Sequence, residues 1–182
     1  MSLAAAAAVL LITAGVIVIA RRPGEYRVSR SQRMAAPPAA IFPHVNELQA
    51  WRSWSPFEKT DPNIVMTFSA PSSGVGAVTH FKGNAKADSG SNTIVESIPN
   101  ELIRFRLAMV KPIKADNDVE FTFERDGNET VVTWAMSGRI GFVFKAVHLV
   151  MNMDKICGSM FARCHNDLKA IVEREAAVGR AA

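Results

Sequence analysis

The sequence predicts an α+β fold in which a curved antiparallel sheet of six or seven strands packs against one long C-terminal helix. Three observations lead to this prediction. Short segments in which apolar and polar residues alternate recur from residue 63 to residue 137. The breaks between these segments are too short for parallel crossovers, so neighbouring strands must run antiparallel. From about residue 142 to residue 175 apolar residues recur at spacings of three and four, as in an amphipathic helix.

An apolar segment begins the chain. Residues 3–20 contain no charged side chain, and Arg21 and Arg22 follow directly. As a helix this segment would be about 27 Å long, close to the ~30 Å of bilayer hydrocarbon. We therefore expect residues 1–22 to form an N-terminal transmembrane anchor, with a cleaved secretory signal as the alternative. Five arginines lie between residues 21 and 33, so the positive-inside rule predicts a single-pass membrane protein whose C-terminal domain lies in the cytoplasm.

Residues 26–175 have the size of one domain, with a linker at 23–25 and a flexible tail at 176–182. The first strand is predicted at 26–34, and a short helix then begins at one of two prolines and runs to about residue 48. A helical turn or tight loop follows it. Six more strands are predicted at residues 63–69, 77–82, 92–98, 101–110, 119–125 and 130–137.

Alternation divides these strands into an apolar and a polar face. In the strand at 101–110, Phe105 and Leu107 share one side and Arg104 lies on the other. The final helix would cover the apolar face. Within it, Gly158 predicts a close approach to the sheet or space left for a ligand, with a tolerated weak position as the alternative. Its predicted apolar stripe is Leu149, Met153, Ile156, Met160, Cys164, Leu168 and Ile171. A helix about 10 Å wide cannot cover a sheet about 30 Å across, so large side chains or a cavity must occupy the remaining space.

Several residues occur in the same order as in a known superfamily. They are Trp51, Trp54, Ser55, Pro56 and Phe57, then Asp61-Pro62, Gly74, Gly76, Pro99, Gly158, Phe161, Leu168 and Lys169. With the order of elements, this set resembles the helix-grip fold of the START-like superfamily (SRPBCC, Bet v 1-like), which includes polyketide cyclase/dehydrase-like and lipid-transfer proteins. The resemblance covers residues 26–175. It implies a deep hydrophobic cavity between sheet and final helix that takes a small lipophilic molecule.

The candidate ligand-binding residues are the large or soft apolar side chains expected to face that cavity. They are Trp54, Phe57, Phe81, Phe105, Phe121, Trp134, Met136, Met160 and Cys164. For the tryptophans and Phe57 the alternative is ordinary packing, as a loop against the sheet edge or as a core residue bonded to the backbone. For the methionines and Cys164 the alternative is core filling.

The sequence offers little for catalysis, metals or nucleic acid. His80 is a weak acid–base candidate, with a surface histidine as the alternative. Cys157, Cys164 and His165 have no compact ligand spacing, since His165 is expected to point away from the cysteines, so we expect no metal and no cofactor. The cysteines, about 10.5 Å apart along a helix, cannot form a disulfide. The net charge of +4 is spread along the chain without a basic and aromatic block, so we expect no nucleic-acid binding.

Three functions remain open from the sequence. The first is a membrane-tethered, non-catalytic domain that binds a small hydrophobic molecule or lipid. The second is an enzyme of the polyketide cyclase/dehydrase or hydrolase type, which the resemblance allows and which needs His80, Asp88 or Glu96 to point inward. The charged catalytic residues of some enzymes in the superfamily have no clear counterparts here. The third is a protein-interaction module at the membrane, with a partner that the sequence does not identify.

Overall fold

The computed structural model describes residues 3–21, 24–55, 63–83, 89–111, 114–139, 141 and 153–181. Helices and strands follow the predicted order. The helices are α1 (Leu3–Ala20), α2 (Pro38–Asn46), α3 (Trp51–Trp54) and α4 (Met153–Ala181), with a 3-10 turn at Leu48–Ala50. The strands are β1 (Glu25–Met34), β2 (Val65–Phe68), β3 (Val78–Lys82), β4 (Ser89–Ile98), β5 (Leu102–Lys111), β6 (Ala115–Asp126) and β7 (Glu129–Arg139).

The seven strands form one antiparallel sheet in the order β1-β7-β6-β5-β4-β3-β2. Strands β2 to β7 are each hydrogen-bonded to the next along the chain, which confirms the predicted meander. The turn between β6 and β7 passes through Gly127 at φ 64°, a backbone conformation that glycine adopts readily. β1 pairs with β7 along its whole length, from Glu25 opposite Arg139 to Met34 opposite Thr130. This pairing brings the start of the domain beside its last strand.

Several element boundaries differ from the predictions. β4 begins at Ser89 instead of residue 92, because Gly90 lies inside the strand instead of ending it. A Cβ at Gly90 would collide with the backbone oxygen of Ala108, so the close approach of β5 requires glycine at this position. α4 continues to Ala181, through most of the segment for which the sequence predicts a flexible tail. That segment is rich in alanine, the residue with the highest helix propensity.

The buried face of α4 is rotated from the predicted stripe. Cys164 and Leu168 are buried as predicted, whereas Ile156 is 48% exposed. Phe161 and His165 are buried in its place. Several buried positions of α4 come one residue later in the chain than the predicted stripe. The reason is that α4 lies along β1 instead of over the middle of the sheet.

Side chains of β1 and α4 hold the two elements together. The Arg30 guanidinium donates to both carboxylate oxygens of Asp154, each at 3.0 Å. Further along, the Lys169 ammonium donates to the backbone oxygen of Arg33 at 2.9 Å. A Cβ at Gly158 would collide with the Arg30 guanidinium, which confirms the predicted close approach of the helix to the sheet.

The N-terminal segment is helical over residues 3–20, as predicted. Four of its described large aliphatic side chains are exposed, Leu10, Val16, Ile17 and Val18, and Ile19 is half-buried. Among the described residues we find no helix that is both long enough and apolar enough to cross a membrane. The transmembrane assignment of residues 1–22 is therefore not supported by the structure.

Candidate ligand-binding site

Aromatic rings fill one half of the space between the sheet and α4. The ring of Trp134, on β7, stacks on Phe161 of α4 with centroids 4.1 Å apart and on Phe121 of β6 at 4.8 Å. Its centroid also lies 6.0 Å from that of Trp51 and 6.1 Å from that of Trp54. All five side chains are buried. These five side chains (Trp51, Trp54, Phe121, Trp134 and Phe161) form one continuous packed group, which we call the ring cluster.

The two tryptophans of α3 are fixed by the preceding helix. The Trp51 indole N–H donates to the backbone oxygen of Val45 at 2.8 Å, and that of Trp54 donates to the backbone oxygen of His44 at 3.0 Å. These acceptors lie in the last turn of α2, where helix carbonyls have no partner within the helix. Trp51 and Trp54 therefore pack inside the domain as core side chains. Phe57, predicted beside them, lies outside the described residues.

His165 is an unexpected polar residue beside the ring cluster. It is 1% exposed, and its ring centroid lies 6.1 Å from that of Trp134. Among the described residues neither of its ring nitrogens has a hydrogen-bond partner, and neither does Nε1 of Trp134. Burial lowers the pKa of His165 to about 4, so the imidazole is neutral at pH 7.

The sequence-based expectation for His165 is wrong, because this residue lies on the inner side of the helix. Position 165 lies four residues after Phe161 and three before Leu168, and both of those residues are buried. That spacing puts His165 on the same helix face as its neighbours. For Trp134, the sequence left two interpretations open, an indole that donates to a ligand and a core indole that donates to the backbone. The indole N–H has no backbone acceptor among the described residues.

The other half of the interior is more accessible. Apolar side chains on the inner face of the sheet are half-buried there, namely Phe81, Leu107 and Met109, and so are Cys157 and Met160 on α4. The ring of Phe81 lies over Gly90, where a Cβ would collide with it. We call this region the open half. Predicted ligand-binding residues Phe81 and Met160 lie in it.

A row of polar side chains crosses the sheet in the open half. In the strand register, Asn117 of β6 and Asn92 of β4 both lie opposite Leu107, and Thr79 of β3 lies opposite Asn92. Tyr26 lies opposite Gly138, which is itself opposite Asn117. The Tyr26 hydroxyl donates to Oδ1 of Asn117 at 2.8 Å. The Oδ1 atom of Asn92 is buried and has no partner among the described residues.

This polar row (Tyr26, Asn117, Asn92 and Thr79) was not predicted. Each member lies in phase with inward-facing residues of its own strand, but only the register between strands places the four in one line. Burial, and to a smaller extent the neighbouring Cys157 thiol, raises the pKa of Tyr26 to about 12. The phenol is therefore protonated at pH 7 and keeps its hydrogen bond to Asn117.

Tyr26 is the only tyrosine, so its titration can be followed directly. We expect ultraviolet absorbance to show phenolate formation with a pKa near 12 in the folded protein. Gly138→Ala should lower that pKa toward the ordinary tyrosine value of 10.0, because a Cβ at this position would displace Asn117 and the Tyr26 ring. Ser137→Ala, on the opposite face of β7, should leave the pKa unchanged. Titration of the wild type near pH 10 while it remains folded would contradict the buried phenol.

The remaining predicted site residues fall into two groups. Phe105, Cys164 and Met136 are buried between sheet and helix near the ring cluster. His80 is exposed on the opposite, outer face of the sheet. Glu96, the other described acid–base candidate, accepts a hydrogen bond from Arg104 on that same outer face. Neither points inward as the enzyme hypothesis requires.

Other candidate groups add little. Asp88, the third acid–base candidate, lies outside the described residues. Within the part of the chain that the structure describes, no three histidine, cysteine or acidic side chains are grouped as a metal site would need. Cys157 and Cys164 are not joined to each other by a disulfide.

One pocket of about 240 Å³ lies on the outer face of the sheet. Its lining includes Ala135 and Ser137 together with Arg27, Arg104 and Glu120. The charged groups are paired with each other, since Glu120 accepts from Arg104 at 2.9 Å and lies 3.5 Å from Arg27. This pocket is separated by the sheet from the predicted hydrophobic cavity.

Solved structures show the same fold. Protein CV1439 from Chromobacterium violaceum superposes with a TM-score of 0.59 at 16% sequence identity, covering 84% of this chain and 99% of that one. Norcoclaurine synthase from Thalictrum flavum gives a TM-score of 0.60 at 10% identity, with 81% of this chain and 93% of that one covered. Aha1 from Colwellia psychrerythraea gives 0.57 at 15% identity, covering 81% and 96%. These identities show a shared fold.

A sequence family model matches as well. Among curated proteins, no significant match is found. Residues 25–173 match the family described as polyketide cyclase/dehydrase and lipid transport. This range begins at β1 and ends within α4, so it includes the whole sheet and both halves of the interior. The chain therefore belongs to the polyketide cyclase/dehydrase and lipid transport family of helix-grip proteins.

Proposed function

We propose that this protein binds a small hydrophobic molecule or lipid in the open half of its interior, without catalysing a reaction. The observation that carries the proposal is the group of half-buried apolar side chains, including Leu107 and Met109, on the inner face of the sheet beside the polar row. Apolar side chains that face inward and yet remain partly accessible provide a surface that a lipophilic molecule can cover.

The energetics of such a site are favourable. Burial of roughly 200 Å² of apolar surface on binding would contribute about 5 kcal/mol before ordering costs. The buried Oδ1 atom of Asn92 would accept a hydrogen bond from a polar group of the ligand, and this would fix the ligand's orientation. A point mutant of norcoclaurine synthase with the same fold is solved in complex with a transition state analogue, which supports the use of this fold to hold small molecules.

A substitution at the centre of the open half tests the proposal. Leu107 lies between Asn92 and Asn117 on the inner face of β5, whereas Val110 is exposed three residues later. We expect Leu107→Trp to weaken binding of the fluorescent probe 1-anilinonaphthalene-8-sulfonate at least tenfold, because the indole would occupy the space of the probe. Val110→Trp should leave the affinity unchanged. Equal affinity of both variants and the wild type would contradict binding at this site.

Native mass spectrometry separates the three functions. A retained lipophilic molecule would support the proposal, and chemical conversion of that molecule during incubation would favour the enzyme instead. Retention of a protein without any small molecule would favour the interaction module.

We further propose that α1 tethers the domain to a membrane, with the domain on the cytoplasmic side. The uncharged sequence of residues 3–20 and the exposure of Leu10, Val16, Ile17 and Val18 support this proposal. In cell fractionation, the full chain should sediment with membranes and resist alkaline extraction, and a variant without residues 1–22 should not. External protease should leave the C-terminal domain intact in whole cells. Recovery of the full chain in the supernatant would contradict the tether.

A further inference from the structure

Three buried polar atoms belong to two neighbouring rings, one of which is part of the ring cluster. They are Nδ1 and Nε2 of His165 and Nε1 of Trp134, and none has a hydrogen-bond partner among the described residues. The two side chains are 1% and 3% exposed, and their ring centroids are 6.1 Å apart. Buried polar groups in folded proteins are nearly always hydrogen-bonded. Unpartnered atoms on two neighbouring rings therefore point to a position beside them where a polar group binds.

The chemistry of the three atoms defines that partner. The indole N–H of Trp134 only donates, so the partner must contain an acceptor. A neutral imidazole has one donor and one acceptor, so the partner can also donate to His165. An ammonium group cannot accept from Trp134. A carboxylate or phosphate needs a cation beside it, and burial disfavours the imidazolium form of His165 that would have to supply the charge. An uncharged hydroxyl group can accept from the indole N–H of Trp134 and pair with one ring nitrogen of His165. The other ring nitrogen points in a different direction and needs a partner of its own.

We propose that His165 and Trp134 form one polar end of the ligand site and bind an uncharged hydroxyl group of a mainly apolar ligand. This inference rests on the proposed binding of a hydrophobic molecule in the interior, and it names the chemical class of that molecule. The ligand is a lipophilic alcohol or phenol.

Three side chains of α4 lie between the open half and this polar end. Cys157, Met160 and Cys164 follow one another at spacings of three and four residues, so they lie along one side of the helix. Two of them are small and the third is flexible, which allows the interior to adapt to an apolar body. Cys164 directly precedes His165, so a ligand lying along this side has its far end beside the imidazole.

The test compares two probes that differ by one hydroxyl group, 1-naphthol and naphthalene. With the full chain, calorimetry or ligand-observed NMR should show that 1-naphthol binds at least tenfold more tightly than naphthalene. His165→Phe keeps an aromatic ring in an aromatic surrounding and removes both nitrogens. It should reduce the affinity ratio to about one, with naphthalene binding changed by less than threefold. Trp134→Phe, which keeps the stacking but removes the N–H, should also reduce the ratio.

Each outcome has a distinct meaning. If the wild type binds neither probe, both the proposed function and this inference are wrong. Equal binding of the two probes to the wild type, as expected if only a water molecule occupied the site, would overturn the inference and leave the proposed function in place. A preference for 1-naphthol that persists in His165→Phe or in Trp134→Phe would also overturn it. His165→Gln, which retains a donor and an acceptor, should recover part of the preference if the proposal is correct.

Discussion

Acidification from pH 7 to pH 4 is expected to lower the free energy of unfolding by on the order of 3 kcal/mol through His165 alone. The pKa of His165 is about 4 in the folded protein, whereas an ordinary solvated histidine has a pKa of 6.5. Between these values the unfolded chain binds a proton that the folded chain does not, so protonation favours unfolding. The stability that depends on a neutral His165 is fully present above pH 6.5 and is lost as the pH falls toward 4. Urea denaturation at a series of pH values measures it.

His165→Phe isolates this effect. The variant has no group to titrate at this position, so its stability should change much less than that of the wild type between pH 6.5 and pH 4. Hydrogen bonding to Arg30 lowers the pKa of Asp154 below 3.8. This exposed ion pair therefore titrates on the acid side of the range from pH 6.5 to pH 4. Identical pH profiles of the wild type and His165→Phe would show that His165 is solvated or hydrogen-bonded in the folded protein.

Replacement of Trp134 by alanine is expected to lower the free energy of unfolding by about 3–5 kcal/mol, enough to unfold a domain of ordinary stability. The Trp134 ring stacks on Phe121 and Phe161 and also contacts Trp51 and Trp54. Its removal would leave a cavity that rigid neighbouring rings cannot fill. Thermal denaturation followed by circular dichroism measures the loss.

Two variants provide the controls for Trp134→Ala. Trp134→Phe keeps an aromatic ring against Phe161 and removes an unpartnered indole N–H, so we expect a loss below about 1.5 kcal/mol. Val131→Ala, on the outer face of the same strand, should cost less than Trp134→Ala because a half-exposed side chain leaves no enclosed cavity. A loss as large for Val131→Ala as for Trp134→Ala would contradict the central place of the ring cluster.

Local patterns in the sequence predicted most of the fold. The alternation of β5, β6 and β7 identified the inner side chains Phe105, Phe121 and Trp134, and all three are buried. The Asp126-Gly127 signal predicted the turn at Gly127. These predictions succeeded because the period of a strand and the conformation of a tight turn depend on neighbouring residues only.

The candidate site could be predicted only in part. Phe81 and Met160 lie in the open half, whereas Trp54 and Trp134 lie in the ring cluster. Whether an inward aromatic side chain lines a cavity or fills it depends on which other rings reach it. Here α3 brings two tryptophans against β7, and the spacing of residues along the chain does not contain that information.

The amino-acid sequence by itself determined the order of elements, the antiparallel sheet and the inward face of each strand, because these follow from local periodicity. Only the tertiary structure decided which polar side chains meet inside. The rotation of α4 against β1 buries His165 beside Trp134, and the strand register aligns Tyr26, Asn117 and Asn92. Both depend on contacts between residues far apart in the chain, where a shift of one position would turn a side chain from the interior to the solvent.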